Sequence, residues 1–262
     1  MAAIQIDSQD DKASNLERIS HMIDEAASKH ADFITMPEFV NYIGSRAGFI
    51  ENAESIPEGP TSELFIEKAR QYHVWIQGGS IAERIPDDDT HVYNTSAVFN
   101  PKGELAAMYQ KIHMADNTSF TESHLIRAGS RIVTFNTPFC KMGTGICYDL
   151  RFPEIYRVMS SRGAKVLLNP SEFNMMTAMD HWNVLIRARA IENTCYVVAA
   201  NQIGSKKNLT SYGRSIIVDA WGNVIVQASD KECVITAEID LDYLDSVRNR
   251  MRCLTHRRPE LY

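Results

Sequence analysis

The chain has 262 residues and a formal net charge of −6 at pH 7, with 44% hydrophobic and 23% charged residues. This composition is that of an ordinary soluble globular protein, and the acidic balance argues against a surface that binds nucleic acid or an anionic membrane. No apolar stretch approaches the roughly 20 residues that cross a bilayer, so no membrane partner is expected.

The N-terminal part of the sequence predicts a parallel sheet. Ala2–Ile6 is an apolar strand that begins almost at the first residue, which leaves no room for a signal peptide. Residues 12–30 carry apolar side chains at helical spacing, and residues 32–36 form a second strand that Pro37 ends. A strand, a crossover helix and a strand imply parallel pairing. Residues 43–59 carry glycines and charges and are predicted to form a loop.

The later elements continue this alternation without a linker, a low-complexity segment or an internal repeat. Helices are predicted from Pro60, from Pro153, over residues 178–193 and from Asp240. Further strands are predicted at residues 74–79, 92–100, 105–109, 132–135, 142–146, 166–168, 195–200, 215–219, 224–228 and 234–239. The strands on either side of Asn100-Pro-Lys-Gly103 are predicted to form a hairpin. We therefore expect one α/β domain over residues 1–262.

The stretch KMGTGICYDLRFPE, from Lys141 to Glu154, places Cys147 at a bend between a buried strand and the helix that starts at Pro153. Proline is favoured at the first helical position, and a strand-to-helix elbow directs backbone N–H groups toward the side chain at the bend. Cys147 is therefore a candidate nucleophile. The cysteine count is odd and contains no C-x-x-C pair, which argues against a disulfide framework and a zinc site and favours the cytoplasm. The other cysteines are expected to be small buried hydrophobes: 140, 195, 233 and 253.

A cysteine thiol needs a base or a positive neighbour to act as a nucleophile at neutral pH. Sheet topology gathers strand ends at one rim, so charged residues at other strand ends are the candidates. Glu38 directly follows the second strand, and Lys111 follows the strand at residues 105–109. On position alone each is a weak signal, because a charged residue at a strand end is more often simply solvated.

Three segments together resemble the Glu, Lys and Cys motifs of the nitrilase superfamily of carbon–nitrogen hydrolases. They are Met-Pro-Glu38-Phe, Tyr-Gln-Lys111-Ile-His and Gly-Ile-Cys147-Tyr-Asp-Leu-Arg-Phe-Pro-Glu. The likeness covers nearly the whole chain and is greatest to small amidases of the omega-amidase and deaminated glutathione amidase type. It implies a four-layer α-β-β-α sandwich of the nitrilase type, an enzyme that needs no metal or organic cofactor, and assembly as a homodimer or higher homo-oligomer. Further matching segments are Asn169–Asn174, His181-Trp182, Arg187–Asn193, Tyr212–Ser215, Asp219–Gly222 and His256–Tyr262.

The resemblance also implies roles for individual residues. Glu38 is the general base for Cys147, which attacks the carbonyl carbon of a small-molecule amide and forms a thioester as ammonia leaves. Lys111 and the backbone N–H of Tyr148 stabilise the oxyanion. Glu122 matches a second glutamate that orients the lysine. The segment from residue 114 to residue 120 is shorter than is usual in the family, which bears on the substrate rather than on the catalytic assignment.

Substrate recognition is predicted from two further residues. Arg151 matches a position where superfamily members that recognise carboxylates carry an arginine, and a guanidinium suits a carboxylate held by two hydrogen bonds. The alternative is a structural ion pair between Arg151 and Glu154 or Asp149. Tyr42 is a second candidate for contact with the substrate.

Other functions remain as alternatives. The predicted substrate is a primary amide of a small carboxylate-bearing acid; the alternatives are an N-carbamoyl amine or amino acid, and a nitrile. A Cys–His hydrolase would use His113 or His181 as its base. A different class is a non-catalytic scaffold on the same fold. Lys206 and Lys207 are predicted to be solvated loop charges.

Overall fold

The computed structural model describes residues 1–116, 121–207 and 209–261. Residues 117–120 of the short segment that follows Lys111, and Tyr262 of the predicted tail, lie outside these ranges. In chain order the strands are β1 (Ala2–Gln5), β2 (Phe33–Thr35), β3 (Trp75–Gln77), β4 (Ile81–Arg84), β5 (Val92–Phe99), β6 (Leu105–Gln110), β7 (Ile126–Arg127), β8 (Thr134–Asn136), β9 (Lys141–Thr144), β10 (Val166–Leu168), β11 (Tyr196–Ala199), β12 (Ile203–Ser205), β13 (Thr210–Tyr212), β14 (Ile216–Val218), β15 (Val224–Gln227) and β16 (Cys233–Thr236). The α-helices are α1 (Lys12–Ser28), α2 (Arg46–Glu51), α3 (Pro60–Tyr72), α4 (Pro153–Ser161), α5 (Met175–Asn193) and α6 (Leu241–Arg250), and 3₁₀ turns occupy Glu122–His124 and Cys147–Arg151.

The strands form two main sheets with parallel centres and antiparallel edges. The first sheet has the order β16-β1-β2-β3-β5-β4, with β6 and β7 also paired to β5. Within it β1, β2 and β3 are parallel, as the strand–helix–strand pattern predicts, whereas β5 pairs antiparallel with β3. The second sheet has the order β15-β14-β11-β10-β9-β8, and its parallel core is β9, β10 and β11.

Alternating side chains place these sheets face to face, with helices outside. On β2, Phe33 packs with second-sheet residues, and its ring stacks on that of Phe135 with centroids 6.4 Å apart. The next residue, Ile34, points the other way and packs with Ile19 of α1 and Phe65 of α3. The outer face of the second sheet is covered in the same way by α4 and α5. The predicted α-β-β-α sandwich is therefore confirmed.

Two helix starts differ from the sequence prediction because a polar side chain caps the first turn in each case. Residues 43–59 are not all loop: α2 begins after Ser45, whose hydroxyl accepts a hydrogen bond from the Gly48 N–H at 3.1 Å. Helix α5 begins at Met175 rather than at residue 178, because Asn174 caps it by accepting from the Met176 N–H at 2.9 Å. Within the described ranges, no helix is both long and apolar enough to cross a membrane.

Candidate active site

Cys147 lies at the predicted bend, as the first residue of the 3₁₀ turn between β9 and α4. Its φ is 44°, a left-handed conformation that costs a non-glycine residue about 1–2 kcal/mol. Asp149 holds the turn in place, because its buried carboxylate accepts from the Ile146 N–H at 2.8 Å and from the Tyr109 hydroxyl at 2.6 Å. The Cys147 N–H donates to the Pro170 carbonyl at 2.8 Å. The turn therefore holds the buried thiol at a position that is fixed by these hydrogen bonds.

Glu38, Lys111 and Glu122 form one buried ion cluster. The Lys111 ammonium donates to Glu38 Oε1 at 2.9 Å and to the Glu122 oxygens at 2.7 and 2.9 Å. All three side chains are at most 5% exposed. Cys147 adjoins the cluster through Glu172, whose N–H donates to Glu38 Oε2 and whose carbonyl lies 3.5 Å from Cys147 Sγ. The charges of Glu38 and Lys111 both act on the pKa of the thiol. The four residues that the sequence predicts as a catalytic set are therefore together in space.

Topology explains why these residues meet. Glu38 follows the carboxyl end of β2, and Lys111 follows the end of β6, which runs antiparallel to β5. Since β5 is itself antiparallel to β3, β6 ends at the same rim as β2 and β3. Cys147 follows β9 at the facing rim of the second sheet. The site therefore lies between the two sheets, with its base on one and its thiol on the other.

Asn94 and Glu172 complete the contacts of Glu38 and were not predicted from the sequence. Asn94 Nδ2 donates to Glu38 Oε1 at 2.8 Å, and the Asn94 carbonyl accepts from the Lys111 N–H at 2.9 Å. The Glu172 N–H donates to Glu38 Oε2 at 2.9 Å, and the Glu172 carbonyl accepts from Cys147 Sγ at 3.5 Å. Asn94 is near the beginning of β5, and the amino end of an antiparallel strand reaches the rim where its parallel neighbours end. That rule could have identified it.

Burial and charge set the protonation of the site. Burial raises the pKa of Glu38, and the Lys111 charge partly offsets this. Burial alone would lower the pKa of Lys111, but the carboxylates of Glu122 and Glu38 outweigh it and raise that pKa well above its usual value. Burial, followed by the Glu38 charge, raises the pKa of the Cys147 thiol well above its usual value. The resting nucleophile is therefore a thiol beside a carboxylate, and Lys111 supplies a permanent positive charge.

Arg151 is the last residue of the 3₁₀ turn that begins at Cys147, and its described partners lie outside the ion cluster. Its guanidinium is 5.6 Å from the centre of the Tyr148 ring and 5.4 Å from that of Phe173, and Nη1 is 3.2 Å from His181 Nδ1. The alternative ion pair with Glu154 or Asp149 is not found among the described residues, where no carboxylate lies within 4.0 Å of Arg151. This arginine is therefore available to an anionic ligand.

The remaining candidates have different surroundings. Tyr148 is the second residue of the 3₁₀ turn, where a backbone N–H has no partner within the turn itself. Tyr42 is buried and packs edge-on against Phe49 of α2, with ring centroids 5.3 Å apart. Its hydroxyl lies against Gly44 and Gly48. None of the contacts described for Tyr42 is with Glu38, Lys111, Glu122 or Cys147.

The two histidines of the Cys–His alternative have other partners. His113 Nδ1 lies 2.7 Å from Asp149 Oδ1, and its ring stacks on Phe152 with centroids 3.7 Å apart. His181 contacts Arg151. Neither has a described contact with Cys147. Within residues 1–116, 121–207 and 209–261, no group of three or more His, Cys, Asp or Glu side chains is arranged to hold a metal ion.

Lys206 differs from its prediction as a solvated charge. Its side chain is only 4% exposed and forms an ion pair with Asp7, while its ammonium also donates to the Ile203 carbonyl at 2.9 Å. Burial lowers the pKa of Lys206. A neighbouring carboxylate explains the burial of this lysine, because a charge leaves water only when it is paired.

Comparisons with known proteins agree with this geometry. The family model described as carbon-nitrogen hydrolase matches residues 1–249. The chain is 40% identical over 257 residues to omega-amidase NIT2 of Xenopus tropicalis, covering 96% of this chain and 92% of that protein. It is 36% identical over 268 residues to omega-amidase NIT2 of Homo sapiens, covering 100% of this chain and 96% of that protein.

Two solved structures have the same fold. The NitFhit protein of C. elegans superposes with a TM-score of 0.94 at 36% identity; the match covers all of this chain and 65% of that longer one. Nit3 of Saccharomyces cerevisiae, described as a member of branch 10 of the nitrilase superfamily, gives a TM-score of 0.88 at 32% identity, with 95% of this chain and 92% of that chain covered.

Proposed function

The chain belongs to the carbon–nitrogen hydrolase family and is an enzyme that cleaves amide carbon–nitrogen bonds, and we propose that its substrate is a primary amide of a small carboxylate-bearing acid. One observation carries the proposal most directly: the Cys147 thiol adjoins a buried Glu38–Lys111–Glu122 cluster, with the Arg151 guanidinium close by. The cluster provides a base and a fixed positive charge for acyl transfer. The arginine provides a place for a carboxylate.

In the first half of the proposed reaction, Glu38 accepts the thiol proton as Cys147 Sγ attacks the amide carbonyl carbon. The negative charge that develops on the carbonyl oxygen is stabilised by the Lys111 ammonium and the Tyr148 N–H. Lys111 keeps its proton throughout, because its raised pKa leaves it charged. As the intermediate collapses, Glu38 returns the proton to the departing nitrogen. Ammonia leaves, and the acyl group remains on sulfur as a thioester.

In the second half, a water molecule takes the place of ammonia. Glu38 accepts a proton from this water as its oxygen attacks the thioester carbonyl, and the same two donors stabilise the new oxyanion. The carbon–sulfur bond then breaks, and Glu38 returns the proton to the sulfur. The products are the free acid and the original thiol. Glu122 takes no proton in this scheme; its carboxylate holds the Lys111 ammonium in place at 2.7 Å.

Arg151 is proposed to bind the carboxylate of the substrate. We expect Arg151→Ala to raise KM about 10- to 100-fold for carboxylate-bearing amides, because a charge-assisted hydrogen bond to an ionised group contributes about 1.5–3 kcal/mol. Hydrolysis of neutral amides should change little. Steady-state kinetics on both substrate types measure this, with Arg127→Ala as the control, since Arg127 is a half-exposed arginine paired with Asp88. An equal loss on both substrate types would remove Arg151 from substrate recognition.

The proposed function is tested with the purified enzyme and a set of amides, ureido acids and nitriles. We expect ammonia from terminal amides of small dicarboxylic acids, including 2-oxo acids, and an acyl adduct on Cys147 in mass spectra of rapidly quenched reactions. Release of carbon dioxide together with ammonia would instead identify an N-carbamoyl substrate. Turnover of nitriles alone would identify a nitrilase. If no member of the set is hydrolysed and no adduct forms, the amide proposal is wrong and the scaffold alternative gains weight.

We also propose that the enzyme works in the cytoplasm as a homodimer or higher homo-oligomer. Helix α5 supports self-association because it exposes a row of apolar side chains, and contiguous exposed apolar surface on a soluble protein usually marks an interface. Met176 is 79% exposed and Met179 68%. Sedimentation of the purified protein measures the assembly, and a monomer at micromolar concentration would contradict it.

A further inference from the structure

The side chain of Glu172 lies beside the nucleophile and has no role in the reaction described above. Its backbone touches both Glu38 and Cys147, so the residue is part of the wall around the thiol. Its carboxyl group turns toward the β12–β13 hairpin, where Oε1 accepts from the Ser211 hydroxyl at 2.6 Å. The hairpin is itself tied to this loop by a hydrogen bond from the Tyr212 N–H to the Phe173 carbonyl at 2.9 Å. The carboxyl group is therefore held in place rather than free in solvent.

No cation among the described residues forms an ion pair with Glu172. Lys206 is the lysine with the largest effect on the pKa of Glu172, but its ammonium is bound to Asp7 and to the Ile203 carbonyl. Burial raises the pKa of Glu172 to about 7, partly offset by the hydrogen bond from Ser211. A half-buried carboxylate without a protein cation is costly unless a ligand supplies the positive charge.

Arg151, in the 3₁₀ turn that begins at Cys147, is a positive group without a carboxylate partner among the described residues. Its guanidinium sits over the rings of Phe173 and Tyr148, the residues that directly follow Glu172 and Cys147 in the chain. The two loops that meet at the thiol thus carry one guanidinium without a carboxylate partner and one carboxyl group without a cation partner. A ligand that satisfies both must carry a negative and a positive charge.

We propose that Glu172 is a specificity-determining residue that binds an ammonium group of the substrate, so that the preferred substrates are side-chain amides of α-amino acids rather than of deaminated acids. The proposal rests on the proposed function, since it assigns the substrate class of the same amide-cleaving site. Arg151 binds the α-carboxylate, Glu172 binds the α-ammonium, and the terminal amide reaches Cys147. A deaminated acid would leave the Glu172 carboxylate unpaired, and this is the source of the discrimination.

The test compares amides that differ only in the amino group: L-glutamine with glutaramic acid, and L-asparagine with succinamic acid. For the better-accepted chain length, wild-type kcat/KM should favour the amino compound by about 10-fold or more, as expected for a charge-assisted contact. Glu172→Gln keeps the size of the side chain and an oxygen that can accept from Ser211, but removes the charge. It should lower the amino-to-deaminated ratio of kcat/KM about 10-fold. Glu154→Gln, an exposed residue on α4, removes the same charge outside the site and should leave the ratio unchanged.

A second measurement needs no variant. Burial raises the pKa of Glu172 to about 7, so its negative charge grows as pH rises through this value, and the wild-type ratio should rise with it. Four other ionisable groups influence Glu172, namely Glu38, Lys111, Cys147 and Lys206. Their titration alters the reaction of both amides alike, so its effect cancels in the ratio of kcat/KM values. The Glu172→Gln ratio should not depend on pH over this range.

The possible failures are distinct. A wild-type ratio at or below one with no pH step, or equal losses on both amides in Glu172→Gln, would overturn the role of Glu172 while leaving the amidase intact. If neither compound of either pair is hydrolysed by the wild-type enzyme, the proposed function itself fails, and the proposal for Glu172 fails with it.

Discussion

Replacing Cys147 with alanine is expected to lower kcat for amide hydrolysis by at least about 10⁴-fold, because the thioester route requires the sulfur and the remaining donors can only polarise the carbonyl. Alanine keeps the Cβ atom at the left-handed position of residue 147, so the turn should persist and the protein should remain folded. Ammonia release and the thermal unfolding midpoint, measured on the same preparation, separate loss of chemistry from loss of structure.

Cys253→Ala is the matched control for this variant. Cys253 is half-buried in the C-terminal segment after α6, far along the chain from the motifs of the site, and its removal should leave turnover within about two-fold of the wild type. Retention of substantial amidase activity by Cys147→Ala, or loss of activity in both variants, would contradict the assignment of the nucleophile.

Replacing Lys111 with methionine is expected to damage both catalysis and stability. Loss of one oxyanion donor costs about 10²–10³-fold in kcat, and displacement of Glu38 adds to this. The fold should lose about 3–5 kcal/mol, because removing one partner of a buried ion cluster leaves Glu38 and Glu122 without their cation. Kinetics and urea unfolding measure the two effects.

The pH dependence of folding stability in Lys111→Met tests whether the loss of the lysine charge, rather than of packing, destabilises the protein. Without the lysine, whose charge now offsets part of the effect of burial, the pKa of the Glu38 carboxyl group in the folded state should rise further above its unfolded value. Such a group favours the folded state when protonated and disfavours it as it ionises, so the stability deficit should grow as pH rises. It should therefore be smaller at about pH 5 than at about pH 8. The double variant Lys111→Met, Glu122→Gln should recover part of the stability but none of the activity. A deficit independent of pH would point to lost packing instead.

Much of the architecture could be predicted because local signals and global topology agree. Pro153 begins α4 as expected, β10 spans the predicted residues, and the hairpin around residues 100–103 joins β5 and β6. Membership of the family, the four-layer fold and amide cleavage by an enzyme are likewise confirmed. Glu38, Lys111 and Cys147 each lie just after a strand, but this position alone was a weak signal for Glu38 and Lys111. The resemblance of the three motifs together to the superfamily identified them.

The rest depends on information that periodicity does not contain. Asn94 lies at the beginning of a strand, so it reaches the site only because β5 runs antiparallel to its neighbours. Glu172 was part of a recognised segment, but its contact with Ser211 depends on the β12–β13 hairpin, which the sequence did not reveal. The ion pair between Arg151 and Glu154 or Asp149 could be tested only in three dimensions, where the described partners of Arg151 are His181 and the Tyr148 and Phe173 rings. Long-range pairing decides all three cases.

Glu38 and Cys147 lie on different sheets, so mutations that alter the spacing of the sheets should affect catalysis. Hydrogen bonds between the two rims include Tyr109 to Asp149 at 2.6 Å and the Glu172 N–H to Glu38 at 2.9 Å. The thickness of the apolar layer between the sheets, filled by residues such as Phe33 and Phe135, therefore sets the distance of attack. Since misplacement by about 1 Å can cost about 10²-fold in rate, a change in interior volume far from the thiol acts on turnover directly. The interior of this sandwich therefore acts as a spacer between the base and the thiol as well as a source of stability.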